Sequence, residues 1–169
     1  MTENHHKHAD MPTVHMIHGF VGAGKTTFSK KLEKEIKAIR FTPDEWMCRL
    51  YGNNPPATHF DEYETSIKKV IRDTAEKVLA TGADVILDYG FWKKSDRDET
   101  RKWAKDIGAS TKLYALQCPD EIMKTRTLKR SAEMPEGALA IDKNALNEFR
   151  SRFEKIDPSL EECFVVMAE

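Results

Sequence analysis

The sequence has little cysteine, no long apolar run and almost no net charge, and each shortage excludes a class of protein. Its three cysteines, Cys48, Cys118 and Cys163, are far apart and form no C-x-x-C pair. That pattern argues against a disulfide framework and against a metal site built from cysteines. It fits a protein of a reducing, cytoplasmic compartment. No segment approaches the roughly 18 consecutive apolar residues of a membrane span, so we expect no membrane contact. A formal net charge of -1 gives no general attraction to nucleic acid.

The N-terminal stretch MTENHHKHADMP, residues 1–12, is polar and has few apolar side chains. We interpret it as a disordered lead-in that precedes a single domain over residues 13–169. Its His5, His6 and His8 could bind a metal, but no carboxylate or thiol cluster accompanies them, which favours a flexible tail.

Short runs rich in β-forming residues alternate with longer runs whose apolar residues recur at helical spacing. Strands are predicted at 14–18, 39–42, 84–90, 111–118 and 163–168. Helices are predicted at 25–37, 43–51, 61–81, 95–108 and 119–130 and from Asp142 onward, with Ser95 and Asp142 as helix caps. Such alternation indicates an α/β fold, a three-layer α/β/α sandwich around a parallel sheet of about five strands.

The stretch HGFVGAGKTT, residues 18–27, follows the first predicted strand and opens the first predicted helix. It matches the pattern G-x-x-x-x-G-K-[ST], in which glycines let the backbone turn sharply and direct its N–H groups at a phosphate. Lys25 is expected to bridge the β- and γ-phosphates of a nucleoside triphosphate, and the Thr26 hydroxyl to bind Mg²⁺. The other predicted nucleotide contacts come from the same loop: Gly19, Phe20, Val21, Gly22, Ala23, Gly24 and Thr27.

Many classes of protein share this loop, and two absences separate them. A GTPase carries an Asn/Thr-Lys-x-Asp stretch that binds guanine, but the nearest match here, Thr111 to Tyr114, lacks the aspartate. A motor ATPase carries two acids at the end of its third strand, whereas here Asp88 is followed by Tyr89. The sequence therefore argues against a protein whose main reaction is the hydrolysis of the nucleotide.

Two aspartates follow predicted strands, at the edge where the carboxyl ends of parallel strands meet. Asp44 comes after the second strand and could accept the proton of an attacking hydroxyl, or simply cap the next helix. Asp88 ends the strand expected beside the phosphate loop, where it could hold the Mg²⁺ shell through water or orient the acceptor. A carboxylate at the end of an apolar strand is costly unless it meets a cation or hydrogen-bond donors, which favours a functional role for Asp88.

Arg126 and Arg130 lie four residues apart on one face of a predicted helix. The helix leads into residues 131–141, a segment with Pro135 and Gly137 that has the composition of a mobile loop. We predict a lid that closes over the nucleotide, brings guanidinium charge to the transferred phosphoryl group and excludes water. A solvated helix face is the alternative interpretation of the two arginines.

Four stretches, in this order, carry a family resemblance: GFVGAGKTT, TPDEWMCRLYG, VILDYGFWKKSDRDE and CPDEIMKTRTLKR. From about Val14 onward the chain resembles the small P-loop kinases of the AAA_33 and zeta-toxin-like group. That group is related to the polynucleotide 5′-hydroxyl kinase domain, gluconate kinase and chloramphenicol phosphotransferase. The resemblance implies a P-loop NTPase fold similar to that of nucleoside monophosphate kinases, with ATP, Mg²⁺ and an arginine-bearing lid. It also implies that Asp44 is the general base, Asp88 the third-strand acid, and Arg126 and Arg130 the lid arginines.

The acceptor side departs from the family pattern. Many members carry an arginine three residues after the base, but here that position is Met47 and the nearest arginine is Arg49. The candidate acceptor contacts are Asp44, Arg49, Asp88, Phe91, Trp92 and Arg97. Plain packing is an equal alternative for Trp92.

The leading hypothesis is an ATP-dependent kinase that phosphorylates a hydroxyl of a small-molecule or nucleotide-like acceptor. One alternative is an ATP-binding regulatory module with little or no transfer activity. Another is an RNA or DNA 5′-hydroxyl kinase, which the near-neutral charge and the lack of an aromatic and basic stripe do not favour. The sequence alone leaves the acceptor, the choice between ATP and GTP, and the oligomeric state open.

Overall fold

The computed structural model describes residues 11–134 and 136–168 of the chain. Residues 1–10 of the predicted lead-in, with its histidines, and Pro135 of the predicted lid lie outside the described residues. Within the described part of the chain, no helix combines the length and the apolar character needed to cross a membrane.

The described residues form one parallel sheet of five strands. The strands are β1 (Thr13–His18), β2 (Ile39–Phe41), β3 (Val85–Gly90), β4 (Ser110–Gln117) and β5 (Phe164–Met167). Their order across the sheet is β2-β3-β1-β4-β5, so that β1 is central and is buried along its whole length. Each strand lies within one residue of its predicted position, and the predicted parallel sheet is confirmed.

Six α-helices connect these strands within the described residues. They are α1 (Lys25–Ile36), α2 (Pro43–Tyr51), α3 (Phe60–Ala80), α4 (Lys94–Asp106), α5 (Asp120–Glu133) and α6 (Lys143–Arg152). A single 3₁₀ turn, Ala57–His59, leads into α3. The long amphipathic helix predicted between the second and third strands is therefore present, and α5 extends three residues beyond its predicted end.

The two predicted helix caps differ in outcome. Asp142 caps α6 as predicted, because its carboxylate accepts a hydrogen bond from the amide of Ala145 at 2.8 Å. The prediction for Ser95 is wrong, since α4 begins one residue earlier, at Lys94. The amide of Lys94 donates instead to Oε2 of Glu154 at 2.7 Å, so a side chain distant in sequence takes the place of a local cap.

Apolar side chains on the two faces of the sheet form two separate cores. Val14 and Met16 of β1 belong to a core with Ile71 of α3, whereas Ile17 belongs to a core with Leu32 of α1. Successive residues of a strand point to opposite faces, so β1 contributes to both cores in alternation. Helices therefore cover both sides of the sheet, and the predicted three-layer sandwich is confirmed.

Candidate active site

A cleft of about 2160 Å³ lies at the carboxyl end of the sheet, between the lid region and helices α1, α2 and α3. It brings together most of the predicted site residues. Those that line it are Val21, Gly22, Gly24, Lys25, Thr26, Thr27, Asp44, Asp88, Phe91, Trp92, Arg126 and Arg130. Parallel strands place their carboxyl ends at one edge, which is why residues far apart in sequence meet here.

The phosphate loop, residues 19–24, connects the end of β1 to the first residue of α1. Gly22 has φ 80° and Gly24 has φ 90°, backbone conformations that favour glycine. A Cβ atom on Gly22 would lie 2.4 Å from the carbonyl oxygen of Met123 and 2.7 Å from Oγ1 of Thr127. Helix α5 leaves no room for a side chain there, so Gly22 is needed for packing as well as for the turn.

Helix α1 begins at the cleft with Gly24 in the N-cap position, and no side chain of the described residues caps it. Lys25, Thr26 and Thr27 follow and all line the cleft. The first turn of a helix presents unpaired N–H groups and a partial positive charge, which suits a phosphate group. The start of α1 is therefore suited to hold an anion.

Lys25 extends back over its own loop, where Nζ donates a hydrogen bond to the carbonyl oxygen of Phe20 at 2.9 Å. Burial lowers the pKa of Lys25, and the negative charges of Asp88 and Asp44 act in the opposite direction. Arg130 adds a smaller lowering effect on the same pKa. Two cationic and two anionic groups from four different elements thus influence one another in the cleft.

Asp88, near the end of β3, is only 5% exposed. Its Oδ2 accepts a hydrogen bond from Ser29 Oγ at 2.8 Å and lies 3.8 Å from Nη1 of Arg40. Burial raises the pKa of Asp88, while Lys25, Ser29 and Arg40 counteract that rise. Both contacts use Oδ2, and Oδ1 has no hydrogen-bond partner within residues 11–134 and 136–168.

Asp44 lies in the first turn of α2, and its surface is open to the cleft. The surrounding walls nevertheless displace enough water to raise the pKa of Asp44, with Lys25 opposing the rise and Asp88 and Glu64 adding to it. Thr42 occupies the N-cap position of α2, and Asp44 makes no capping hydrogen bond among the described residues. The carboxylate therefore faces the cleft rather than the helix backbone.

Arg126 and Arg130 lie on α5, and both line the cleft. Arg130 is half-buried and near enough to affect the pKa of both Lys25 and Asp44. Arg126 is more exposed, and its Nη1 lies 4.0 Å from the position of a Cβ built on Gly24. Arg126 thus borders the start of α1, and Arg130 borders the charged centre of the cleft.

The segment after α5 crosses the cleft and contacts the α2 side. Gly137 packs against Glu45, because a Cβ on Gly137 would lie 3.1 Å from Glu45 Cγ. The amide of Ala140 donates to the carbonyl oxygen of Asn53 at 3.1 Å. These contacts join residues 136–141 of the predicted lid to the α2 side of the cleft, and all six of these residues line it.

Two predicted acceptor contacts, Arg49 and Arg97, do not line the cleft. Met47 is 1% exposed and belongs to the core, and residues two apart on a helix point in nearly opposite directions, so Arg49 projects into solvent. Arg49 therefore does not replace the arginine expected at position 47. Arg97 is 2% exposed, and its guanidinium binds Glu161 and two backbone carbonyl groups beneath the cleft wall.

Three residues that surround the carboxylates were not predicted from the sequence. Ser29 and Arg40 contact Asp88, and Glu64 raises the pKa of Asp44. Ser29 could have been inferred, because it lies one helical turn after Thr26 and so on the same face of α1. For Arg40, the one local hint is its position in the short strand β2, which leads to Asp44.

The oxygen donors in the cleft fit ATP accompanied by Mg²⁺. Mg²⁺ prefers hard oxygen ligands and usually keeps several waters and substrate phosphates, so it needs few protein ligands. The Thr26 hydroxyl and the Asp88 carboxylate both line the cleft, and Ser29 Oγ lies 3.1 Å from the Thr26 carbonyl oxygen and 2.8 Å from Asp88 Oδ2. Ser29 therefore holds the two elements that carry these donors close together.

Comparison with known families gives a match that covers most of the chain. The AAA_33 family model, described as an AAA domain, matches residues 14–156. A shikimate kinase from Enterococcus faecalis is 28% identical over 153 residues, which cover 86% of this chain and 81% of the relative. The predicted resemblance to AAA_33 kinases is confirmed by the family match.

Solved structures show the same fold at low sequence identity. A candidate kinase from Chloroflexus aurantiacus superposes with a TM-score of 0.73 at 17% identity, covering 93% of this chain and 88% of the other. A gluconokinase from Sinorhizobium meliloti gives a TM-score of 0.60 at 16% identity, covering 94% of this chain and 83% of the other. At these identities the likeness is one of fold.

Proposed function

Because the chain belongs to the AAA_33 family, we propose that it is an ATP-dependent phosphotransferase that moves the γ-phosphate of ATP to a hydroxyl of a small-molecule or nucleotide-like acceptor. The observation that supports this most is the meeting of Asp44 and Asp88 with Lys25 and Arg130 beside the phosphate loop. Phosphoryl transfer needs positive charge around the phosphates and one base directed at the acceptor, and this cleft holds both.

The phosphate loop and the start of α1 bind the triphosphate. Backbone N–H groups at the end of the phosphate loop and in the first turn of α1 would surround the β-phosphate, and Lys25 would turn from the Phe20 carbonyl oxygen to the β- and γ-phosphates. A bound Mg²⁺, held by Thr26 and Asp88 directly or through water, would neutralise negative charge on the phosphates. Arg126, next to Gly24, lies where the nucleoside portion would leave the loop.

Asp44 acts as the general base toward the acceptor hydroxyl. It sits at the carboxyl edge of the sheet with no hydrogen bond to hold it among the described residues, and its surface faces the cleft. Lys25 opposes the rise in the pKa of Asp44 that burial causes, so a cation that binds the phosphate also favours the ionised base. Lys25 thus helps to keep Asp44 in the ionised form that can accept a proton.

Arg130 and the lid act on the transferred phosphoryl group, Arg130 through its charge and the lid by keeping water away. The guanidinium of Arg130 balances the charge that spreads over the phosphoryl oxygens, as lid arginines do in phosphoryl transfer. The lid contacts Glu45 and Asn53 on the α2 side of the cleft, and its closure would keep water from the transferred group, so that the acceptor rather than water is phosphorylated.

The acceptor occupies the part of the cleft beyond Asp44, between α3 and the end of β3. Tyr89 and Phe91 stack there with ring centroids 5.3 Å apart, and Glu64 and Lys68 of α3 form an ion pair at 3.0 Å. This mixture of apolar ring surface with charges of both signs suits a compact polar molecule. Among the described residues that line the cleft, acidic side chains accompany the basic ones, which favours a compact acceptor over a long nucleic acid.

A transfer assay with γ-labelled ATP tests the proposal. The acceptor panel contains shikimate, gluconate, other sugar acids, nucleosides, aminoglycosides and an RNA with a 5′-hydroxyl, and Lys25→Ala serves as the inactive control. A labelled small-molecule product formed by the wild type but not by Lys25→Ala supports the proposal. Tight ATP binding without any labelled acceptor, together with ATP-dependent binding of a protein partner, would instead favour a regulatory module.

A further inference from the structure

The turn that follows β3 has a backbone conformation that must be held in place. Gly90 has φ 83° and Phe91, a non-glycine residue, has φ 45°. Side chains other than glycine rarely adopt such angles, because the Cβ atom meets the backbone, and they persist only where the surroundings enforce them. Phe91 is 4% exposed and its ring lines the cleft next to Tyr89, so this strained residue belongs to the wall of the site.

The same turn binds the first residue of the phosphate loop. The amide of Gly19 donates to the carbonyl oxygen of Gly90 at 3.1 Å, and the indole Nε1 of Trp92 donates to the carbonyl oxygen of Gly19 at 3.1 Å. Both backbone polar groups of Gly19 are thus bound to the turn Gly90–Trp92. The path by which the chain enters the phosphate loop depends on where this turn lies.

Arg97 forms hydrogen bonds to the turn Gly90–Trp92. Its Nη1 donates to the carbonyl oxygen of Phe91 at 3.0 Å and to that of Trp92 at 3.3 Å. The Phe91 carbonyl oxygen also accepts from Nδ1 of His18 at 2.9 Å, and the Trp92 carbonyl oxygen from the amide of Glu154 at 3.0 Å. Hydrogen bonds from a buried guanidinium are strong and directional, so they can fix the two peptide groups that follow the strained residue.

Glu161 in turn fixes Arg97. Its two carboxylate oxygens accept from Nε and Nη2 of Arg97 at 2.9 and 2.8 Å, a planar bidentate pair. Arg101 donates to the same carboxylate at 2.6 Å but makes no contact with the turn among the described residues. Hydrogen bonding by Arg97, reinforced by Arg101, lowers the pKa of Glu161 to about 2, so the pair is ionised at neutral pH.

We propose that Arg97 and Glu161 are positioning residues for nucleotide binding, because the buried pair keeps the turn Gly90–Trp92 in the conformation that holds Gly19. Neither residue lines the cleft, and both act through the backbone of Phe91 and the hydrogen bonds to Gly19. The role rests on the proposed function only in requiring that the phosphate loop binds ATP. The pair also joins the turn to residues 153–163, which lead from α6 to β5.

Two variants weaken the Arg97–Glu161 ion pair without leaving a cavity in its place. Glu161→Gln keeps the shape but removes the charge, and Arg97→Lys keeps the charge but loses the planar fork. Each should reduce the affinity for ATP with Mg²⁺ about tenfold, as expected when a charge-assisted hydrogen bond is lost. Each should also shift the ¹⁵N–¹H resonance of the Trp92 indole, which reports directly on the hydrogen bond to Gly19.

Arg101→Gln is the matched control, because Arg101 binds the same Glu161 carboxylate without contacting the turn. It should leave the ATP affinity within about twofold and the Trp92 resonance unchanged, even if it lowers the melting temperature as much as Glu161→Gln does. The Trp92 resonance is assigned by its disappearance in Trp92→Phe. Titration calorimetry with ATP and Mg²⁺, well below each melting temperature, gives the affinities.

The proposal is overturned if Glu161→Gln and Arg97→Lys fold but bind ATP like the wild type with an unmoved Trp92 resonance. It is also overturned if Arg101→Gln shifts the resonance and the affinity equally, since the pair would then act only through general stability. Failure of the wild type to bind ATP would contradict the proposed function instead. In that case the Trp92 resonance alone still decides whether the pair holds the turn.

Discussion

Ser29 of α1 donates its hydroxyl hydrogen bond to Oδ2 of Asp88 at 2.8 Å, joining the phosphate-binding helix to the neighbouring strand. The hydrogen bond stabilises the ionised carboxylate and so counteracts the rise in the pKa of Asp88 that burial causes. The Ser29–Asp88 contact therefore links the geometry of the phosphate loop to the charge state of the expected Mg²⁺ ligand.

Ser29→Ala should raise the pKa of Asp88, because the carboxylate loses its donor. The acid side of the pH–rate profile should move to higher pH, since a larger fraction of Asp88 is then protonated at a given pH. The Mg²⁺ concentration for half-maximal activity should rise roughly three- to tenfold, in line with the loss of one hydrogen bond to a charged group. Ser95→Ala on the surface of α4 is the control, and an identical pH profile and Mg²⁺ requirement in Ser29→Ala would refute the link.

Gly22→Ala should abolish ATP binding, because the added Cβ would lie 2.4 Å from the Met123 carbonyl oxygen and push the phosphate loop away from α5. Gly82→Ala is the matched control, since Gly82 has φ 85° at the end of α3 but no atom within 4 Å of an added Cβ. Both substitutions should lower the free energy of unfolding by about 1–2 kcal/mol through backbone strain. Calorimetry should show that Gly82→Ala alone still binds ATP, and equal affinities in the two variants would contradict the packing argument.

Asp44→Asn should make the folded protein more stable at alkaline pH. Burial raises the pKa of Asp44, so the folded state holds this proton more tightly than the unfolded chain does. Stability from this group is therefore present at acid pH and is lost as pH rises through the folded pKa. Melting curves of the wild type and Asp44→Asn should coincide near the ordinary aspartate pKa of about 4 and separate above it. Asp73→Asn, on the exposed part of α3, controls for the loss of one charge, and parallel curves at every pH would rule the effect out.

Local patterns were sufficient where the chain needs only neighbours in sequence. The apolar run before Asp88 predicts a buried strand, and the carboxylate of Asp142 caps its own helix three residues on. The glycine motif likewise predicts the phosphate loop, because the turn and the helix start are encoded within ten residues. Each of these features depends on backbone angles and hydrogen bonds that short segments determine.

Prediction failed where a partner distant in sequence decides the outcome. The Ser95 cap is replaced by Glu154, and Arg97 turns away from the cleft because Glu161, 64 residues later, lies beneath the turn. Arg40 could not be assigned to Asp88 either, since that contact depends on the pairing of β2 with β3. Charged residues of one motif can thus be either functional or structural, and the groups that each one contacts in the folded chain separate them.

The most direct measurement is the rate of phosphoryl transfer from ATP to an accepted hydroxyl compound by the wild type and by Asp44→Asn. A general base contributes about 10²-fold or more, so Asp44→Asn should transfer at least a hundredfold more slowly. Its affinity for ATP should change less than about threefold, since Asp44 faces the acceptor side of the cleft. Asp61→Asn, which removes another cleft carboxylate, should transfer at nearly the wild-type rate. Transfer by Asp44→Asn at the wild-type rate would contradict the assignment of Asp44 as the base.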